Sequence, residues 1–421
     1  MLSWTVIELI NAFMREGSTV YACLLDYRKA FDLVNHEKMF KILVKRKVNL
    51  VFLRLLMVIY IHQQCYVKWN NVRSYSFPVT NGTRQGAVFS PRGGFNSYLD
   101  VLIDRLRKSG HGLRLGTTWF GGLFWADDGI LLSTSVQGLQ SMVDICQEHA
   151  TANDLIFSTD KDINKSKTVT IAFQCPNVET LPPIMLNGDP LPWKNSVKHV
   201  GVTLHSSGSM EQEVKDKRAR FIQCSVELNQ EFECLAPEIR MRLLRLYNMH
   251  FSGCNCWSFQ DVGFQQLCNS YNVNLRILHN LPLNTSCWLV EEISGGRHAK
   301  QQIYSRYVKF VNTLANSSRD CVRFLFNYVS GDVRSQVGGN LKKLTRDTGI
   351  PVTPGYTSPK VLNNYRVYSA PVGEEYRLPL LVSLLEIRGD HWSIIFNEES
   401  DEPEEANEND LLMMINEVCS S

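Results

Sequence analysis

With 421 residues, of which 44% are hydrophobic and 10% aromatic, the chain can form two or three packed domains, which excludes a mainly disordered protein. The formal net charge of +2 hides an asymmetry, because eight acidic residues and no basic one lie between Glu398 and Asp410. The rest of the chain therefore has an excess of Lys and Arg that favours phosphate backbones as partners.

The longest apolar run gives no reason to expect a membrane protein. It extends from Val48 to Ile61, is too short to cross a bilayer and contains Arg54, so we expect a buried helix there and no membrane span. The first residues lack the basic and apolar regions of a signal peptide, which predicts an intracellular protein, in the nucleus, the cytoplasm or both.

The predicted elements of the first half alternate strands, helices and hairpins. An apolar, β-prone run ending at Asp26 predicts a strand, and Asn70-Asn71 and Asp127-Asp128 each mark the middle of a predicted hairpin. This order predicts an α+β domain with one antiparallel sheet and helices behind it. The segments are strand 20–25, helix 29–47, hairpin 66–79, helix 95–106, hairpin 123–132, helix 137–150 and strands 168–173 and 198–204.

Helical periodicity dominates from Met210 onward, which predicts a mostly helical second domain over 206–345 after a first domain over 1–205. Prolines and glycines over 349–360 predict a loop, and we expect residues 346–421 to form a linker and an acidic, disordered tail. Positive charge on the helices of the second domain either follows a nucleic-acid backbone or is an ordinary solvated face. The residues concerned are Lys215, Lys217, Arg218, Arg220, Arg240, Arg242 and Arg245.

Three aspartates are candidates for phosphoryl-transfer chemistry, which uses two divalent ions held by clustered carboxylates. Asp26 follows a predicted buried strand, and Asp127 and Asp128 occupy a predicted hairpin tip, so neighbouring strands of one sheet could bring all three together. Each also has an ordinary explanation, since Asp-Gly is a common hairpin turn and an Asp after a strand is often a helix cap.

Three sequence blocks occur together in one order, and the combination resembles the reverse transcriptases of non-LTR retrotransposons. They are LLDYRKAFDLVNH at 24–36, TRQGAVFSP at 83–91 and WADD at 125–128. Residues 157–160 with 164–168 look like the family's fourth block, 199–202 resemble the hairpin that grips the primer end, and 271–282 resemble the helical region after the polymerase core. The resemblance covers about residues 20–344.

The resemblance implies a right-hand polymerase palm with partial fingers over 1–205, followed by a helical thumb and connection. The implied enzyme is an RNA-directed DNA polymerase that adds dNTPs to the 3′ end of a DNA primer on an RNA template, with two Mg²⁺ ions. Carried over by position, Asp26, Asp127 and Asp128 would be catalytic metal ligands, with the backbone carbonyl of Tyr27. Nucleotide-binding residues would be Phe31, Arg84, Gln85, Gly86 and Lys167, and primer-binding residues would be Trp125, His199, Val200 and Gly201.

Several of these residues also have ordinary structural explanations. Phe31 could be a core residue, Gly86 a turn residue, and Arg84 and Lys167 solvated cations. Trp125 stands where the family has Tyr or Phe, which puts a larger side chain beside the primer end.

Relatives begin well upstream of the first block, so we expect most of the fingers, and any endonuclease domain or upstream polyprotein segment, to be absent from this chain. One alternative is an inactive, decayed or fragmentary reverse transcriptase that only binds nucleic acid. Another is an unrelated α+β interaction protein, in which Asp26 and Asp127 would lie far apart.

Overall fold

The computed structural model describes residues 1–83, 96–159, 166–295, 298–363 and 365–368. By their internal contacts these residues form two compact units. The first consists of residues 1–213 and 314–339, and the second consists of residues 214–313 with the described residues from 340 onward.

A four-stranded antiparallel sheet is the centre of the first unit, with the strand order β10-β1-β9-β8. Its strands are β1 (Val20–Leu25), β8 (Gly122–Trp125), β9 (Asp128–Ser133) and β10 (Val169–Phe173). Strand β1 is apolar along almost its whole length because it lies between two partners and is covered by helices, so that five of its six residues are buried. The sheet and its helices confirm the predicted α+β class.

The helices of the first unit pack their apolar faces on this sheet or on each other. They are α1 (Leu2–Arg15), α2 (His36–Lys45), α3 (Leu50–Ile61), α4 (Asn96–Lys108), α5 (Val136–Ala152) and α11 (Asp320–Ser330). The side chains of Asn35, Asn49 and Ser135 accept backbone N–H groups at the starts of α2, α3 and α5, which fixes where these three helices begin.

Five two-stranded ribbons complete the first unit. Their strands are β2 (Gln64–Cys65), β3 (Lys68–Trp69), β4 (Val72–Arg73), β5 (Phe77–Pro78), β6 (Arg114–Leu115), β7 (Thr118–Trp119), β11 (Ile184–Leu186), β12 (Asp189–Leu191), β13 (Ser196–His199) and β14 (Val202–His205). The single strand expected over 198–204 is therefore a hairpin, because the chain reverses at Val200-Gly201. The hairpin over 66–79 is confirmed, with its turn at Asn70-Asn71.

The apolar run over 48–61 does contain a helix, but the expectation that this helix is buried is wrong. Helix α3 buries only Leu53, Leu56 and Tyr60, which lie three or four residues apart and form one stripe towards the core. Its other apolar side chains are exposed, among them Val51 and Ile61. None of the described helices is both long and apolar enough to cross a membrane.

The second unit is helical, as expected from the periodicity after Met210. The helices that lie wholly or mostly in it are α6 (Glu211–Glu231), α7 (Pro237–Leu243), α8 (Val262–Leu278), α9 (Cys287–Ile293), α10 (Ala299–Ala315) and α12 (Gln336–Thr348), with short turns of helix at Leu244–Asn248, Cys254–Cys256 and Pro359–Leu362. Buried aromatic rings join them, and the ring centroid of Phe259 lies 4.9 Å from those of Tyr304 and Tyr307.

The predicted domain boundaries at residues 205 and 345 stay predictions. By contact, residues 314–339 belong with the first unit, where the ring of Phe326 lies 6.4 Å from that of Trp4 and Glu8 accepts the backbone N–H of Val337. The loop predicted over 349–360 has no helix or strand between Ile350 and Ser358. The acidic tail from Glu398 lies outside the described residues.

Candidate functional site

The central sheet brings the three aspartates to one edge. Strand β1 pairs antiparallel with β9, and the last pair in that register joins Leu25 to Gly129. Asp26 follows Leu25, and Asp128 precedes Gly129, so the two residues adjoin at the same end of neighbouring strands. Asp127 lies in the two-residue turn between β8 and β9. This arrangement contradicts the alternative in which Asp26 and Asp127 lie far apart.

The aspartates interact electrostatically as a group. Burial is the main cause that raises the pKa of Asp26; the charge of Asp127 raises it further, while Lys167 and a hydrogen bond from the Ser158 side chain lower it. Burial also raises the pKa of Asp128, and there both other aspartates add to the effect while Lys167 opposes it. A half-buried group of like charges is destabilised, and a bound cation would relieve that repulsion.

Carboxylate oxygens are the donors that hard divalent cations such as Mg²⁺ prefer, so the residue types fit such ions. In the part of the chain that the structure describes, however, no group of three or more His, Cys, Asp or Glu side chains is placed to hold a metal ion. The three aspartates thus share one edge and one electrostatic field, but their side chains do not form a closed ligand cage.

The segment around Ser158 fixes the backbone at Asp26. The carbonyl oxygen of Asp26 accepts the N–H of Ser158 at 2.7 Å, and the N–H of Arg28 donates to Ile156 at the same distance. The N–H of Asp26 donates to the Thr168 side chain at 3.3 Å. Tyr27 is buried and its ring stacks on Phe157, with 4.6 Å between centroids. The fourth sequence block therefore positions the first one, a role that the sequence did not reveal.

Phe31 lies five residues beyond Asp26, half-buried and packed against the hydrophobic core of the first unit. Its carbonyl oxygen accepts the N–H of Thr83 at 2.7 Å, and the N–H of Gly82 donates to Val34 at 2.8 Å. These bonds place the start of the second sequence block beside Phe31. The residues that follow Thr83 in that block, Arg84, Gln85 and Gly86, lie outside the described residues.

A cavity of about 290 Å³ opens at the carboxylate edge and joins residues from three of the sequence blocks. Asp26, Asp128, Lys167 and His199 line it together. Two further lysines that sequence reasoning missed complete its positive side, Lys194 and Lys198. The only sign of Lys194 and Lys198 in the sequence is the excess of Lys near the fourth block. That excess does not show which lysine side chains line a cavity.

His199 is 4% exposed, and burial lowers its pKa to about 4, so its imidazole is neutral at physiological pH. Neither ring nitrogen has a hydrogen-bond partner among the residues that the structure describes. The next two residues, Val200 and Gly201, form the turn of the β13–β14 hairpin and do not line the cavity. Trp125, 56% exposed, precedes the turn that carries Asp127 and also lies outside the cavity lining.

Comparison with known proteins finds a family match in the first half of the chain. Residues 4–204 match the family model described as reverse transcriptase (RNA-dependent DNA polymerase). The "Retrovirus-related Pol polyprotein from type-1 retrotransposable element R2" of Nasonia vitripennis is 29% identical over 138 residues, which are 32% of this chain and 13% of that polyprotein. The chain thus matches a small part of that relative.

Similar solved structures include two telomerases. The apo telomerase of Candida tropicalis, truncated from its C-terminal domain, has a TM-score of 0.34 and 14% identity over 49% of this chain and 38% of its own. The telomerase of Candida albicans, with a fragment of telomeric RNA, has a TM-score of 0.35 and 12% identity over 78% of this chain and 53% of its own. The match over residues 4–204 and the likeness to the R2 polyprotein support a reverse transcriptase domain, of the type found in non-LTR retrotransposons, in the first half of this chain.

Proposed function

We propose that this chain is an RNA-directed DNA polymerase that adds dNTPs to the 3′ end of a DNA primer on an RNA template, with two Mg²⁺ ions at Asp26, Asp127 and Asp128. One observation carries the proposal: Asp26 and Asp128 adjoin at the ends of paired strands, and Asp127 lies in the adjacent turn. The pKa of Asp26 and the pKa of Asp128 are each raised in part by the charge of another aspartate of this group. Such a concentration of negative charge beside a cavity favours divalent cations.

The ions would activate the attacking 3′ hydroxyl and stabilise the leaving pyrophosphate. The carboxylates of Asp26, Asp127 and Asp128 would hold them, with the Tyr27 backbone carbonyl as a further oxygen donor. Lys167 lies close enough to affect the pKa of both Asp26 and Asp128, so its ammonium group is a fixed positive charge where triphosphate oxygens would lie.

Phe31 and the β13–β14 hairpin would select and position the substrates. The ring of Phe31 is held by the core on one side, and its bulk would exclude the 2′ hydroxyl of a ribonucleotide. The hairpin would grip the primer through His199, Val200 and Gly201, with the Trp125 ring beside the primer end. Arg84, Gln85 and Gly86 would contact the nucleotide and template, by resemblance.

The wider setting of the reaction is also a proposal. The enzyme would act inside the cell, in the nucleus, the cytoplasm or both. Since the R2 relative is a polyprotein, an endonuclease domain or other polyprotein segment is the natural partner of the polymerase domain.

Primer extension on an RNA template with Mg²⁺ tests the proposal by comparing the wild-type chain with Asp127→Asn. We expect extension by the wild type and a loss of at least about a hundredfold in the variant, because the amide removes a charge that the ions need. Asp189→Asn is the matched control, since Asp189 is an exposed aspartate at the start of β12, in a different hairpin of the same unit. Equal extension by Asp127→Asn and the wild type would remove Asp127 from the mechanism. Binding of template and primer without extension by the wild type would support the inactive alternative.

A further inference from the structure

Residues 64–78, which we call the aromatic hairpin, expose large rings that folding does not account for. Every residue of its four short strands is exposed. Trp69 is 77% and Tyr75 97% exposed, and Tyr66 and Phe77 are exposed as well. A ribbon of two strands that buries little of its own surface is marginally stable in water. Rings on both faces of such a ribbon indicate a binding surface rather than a packing role.

The charge of this region is entirely positive. Between Lys38 and Thr83 the sequence has eight Lys and Arg and no Asp or Glu. Lys38, Lys41 and Arg46 form ion pairs with acidic residues from outside this segment. Lys68 and Arg73 of the aromatic hairpin form no ion pair within the described part of the chain.

Lys68 and Arg73 face each other directly across the antiparallel β3–β4 pair. Like charges in directly opposed positions destabilise a strand pair, and an anion bound between them would remove the repulsion. The turn that joins the strands is Asn70-Asn71, with φ angles of 42° and 66°, as in the two-residue turns that fix hairpin register. The two cations are therefore held side by side by the backbone itself.

The ring of Tyr66 lies beside this pair of cations, and the exposed ring of Tyr75 follows two residues after Arg73 in the chain. The guanidinium carbon of Arg73 lies 5.0 Å from the ring centroid of Tyr66. Beyond this pair, the Ser74 N–H donates to the Val67 carbonyl oxygen at 2.9 Å and the Ser74 hydroxyl accepts the Val67 N–H at 2.9 Å, so the two chain segments stay joined next to Tyr66 and Tyr75. Cations that hold phosphates beside rings that stack on bases are the combination by which proteins bind single-stranded nucleic acid. A duplex does not offer its base faces to such rings.

We propose that the aromatic hairpin binds the single-stranded part of the RNA template, outside the carboxylate cavity. Bases stack on Tyr66 and Tyr75, and a phosphate lies between Lys68 and Arg73. The identity of this strand as template rests on the proposed polymerase function, whereas the binding of single-stranded RNA by the hairpin does not depend on catalysis.

The first test is binding of a labelled, unstructured single-stranded RNA to the full chain in the absence of Mg²⁺, followed by fluorescence anisotropy. We expect Tyr66→Ala/Tyr75→Ala to weaken binding at least about tenfold, since two stacking contacts are lost. Lys68→Glu/Arg73→Glu should reduce the slope of log K against log salt by about 0.7, which corresponds to the loss of the one phosphate contact on a single strand. A DNA–RNA duplex should bind equally to the wild type and the ring variant.

The matched control is Tyr356→Ala/Lys342→Glu, because Tyr356 is 89% exposed and Lys342 is exposed in the second unit. Tyr75→Ala alone is a second variant, and it removes no buried contact. A thermal unfolding midpoint equal to that of the wild type verifies that this variant folds. Wild-type RNA affinity in the hairpin variants would overturn the proposal, and so would an equal loss of affinity in the control. Loss of self-association with unchanged RNA binding would also overturn it, since the surface would then belong to a second copy.

Primer extension separates this proposal from the polymerase proposal. Hairpin variants should extend a primer normally when the template projects by one nucleotide and poorly when it projects by many. If neither the wild type nor any variant extends a primer, the polymerase proposal is refuted. The binding experiment still tests whether the aromatic hairpin binds single-stranded RNA. Normal extension by the variants on long templates would refute a role of the hairpin in holding the template.

Discussion

Glu8 of helix α1 is a buried carboxyl group whose titration should control the stability of the first unit. It is fully buried, and burial raises its pKa from 4.5 to about 7, while the charge of Arg15 and a hydrogen bond from the Val337 backbone lower it. Its Oε1 atom accepts that N–H at 3.1 Å, and its Oε2 atom has no hydrogen-bond partner within the described part of the chain. The protonated form is therefore the better fit to this site.

The consequence for stability follows from the difference between the folded and unfolded pKa. At low pH both states hold the proton, and as the pH rises above 4.5 the unfolded chain releases it while the folded protein retains it. Stability therefore falls with rising pH until about pH 7 and then levels off. Since each pH unit between the two pKa values corresponds to about 1.4 kcal/mol, the loss is about 3 kcal/mol in the free energy of unfolding.

Glu8→Gln should remove this pH dependence, because the amide keeps an oxygen for the Val337 N–H and cannot ionise. Urea unfolding of both proteins at about pH 5 and about pH 8.5 measures it. We expect the stability of the variant relative to the wild type to increase by about 3 kcal/mol between the two pH values. Glu16→Gln, at an exposed residue that follows the same helix, should show no such change. A difference between Glu8→Gln and the wild type that is the same at both pH values would refute the reasoning.

Three further predictions concern two turns and the cation at the candidate site. Val200→Asn should raise the free energy of unfolding by about 1 kcal/mol, measured by urea unfolding, because a β-branched residue is strained at a φ of 46° and Asn tolerates it; a lower stability would contradict this. Gly82→Ala should lower the free energy of unfolding by about 2 kcal/mol or more, because φ is +89° and the added Cβ atom would lie 3.0 Å from a backbone oxygen. Gly110 has a similar φ of +81° but nothing near the position of a Cβ atom, so Gly110→Ala should lower the free energy of unfolding by only about 1 kcal/mol. Equal losses would exclude the steric explanation. Lys167→Ala should slow single-turnover primer extension by about tenfold or more, whereas Lys167→Arg, which keeps the positive charge, should slow it much less. A wild-type rate in Lys167→Ala would remove this cation from the mechanism.

The sequence predicted the carboxylate edge because strand ends are visible in it. A short, β-prone run of six residues that stops at Asp26 favours a strand with two covered faces, and the chain reversal at Asp127 needs no tertiary information. What joins them is the register of β1 with β9, and no local pattern contains a register between segments about a hundred residues apart. The blocks supplied that missing information only through their resemblance to a family.

Other features depend on which neighbour a side chain meets, and the sequence did not reveal them. Helix α3 was expected to be buried because its residues are apolar, yet hydropathy does not tell how many of its sides have a partner. In the second unit, Arg240 is buried, the side chain of Arg218 donates to Ser270, and that of Arg245 donates to the Ser294 carbonyl. These three cations therefore serve the unit itself, and the helical spacing that suggested a nucleic-acid face did not distinguish them from solvated ones.

Two strained turns belong to the hairpins at the carboxylate cavity. Ala126, before Asp127, has a φ of 53°, and Val200, after His199, has a φ of 46°. Glycine or asparagine would adopt either conformation at a lower energy, so neither residue optimises stability at its position. Each strained residue is next in the chain to a side chain that the proposed reaction needs, the metal ligand Asp127 in one case and the cavity-lining imidazole of His199 in the other. Both hairpins at this cavity thus contain a strained residue. This strain is explained if the function of the protein depends more on the positions of Asp127 and His199 than on the stability of the two turns.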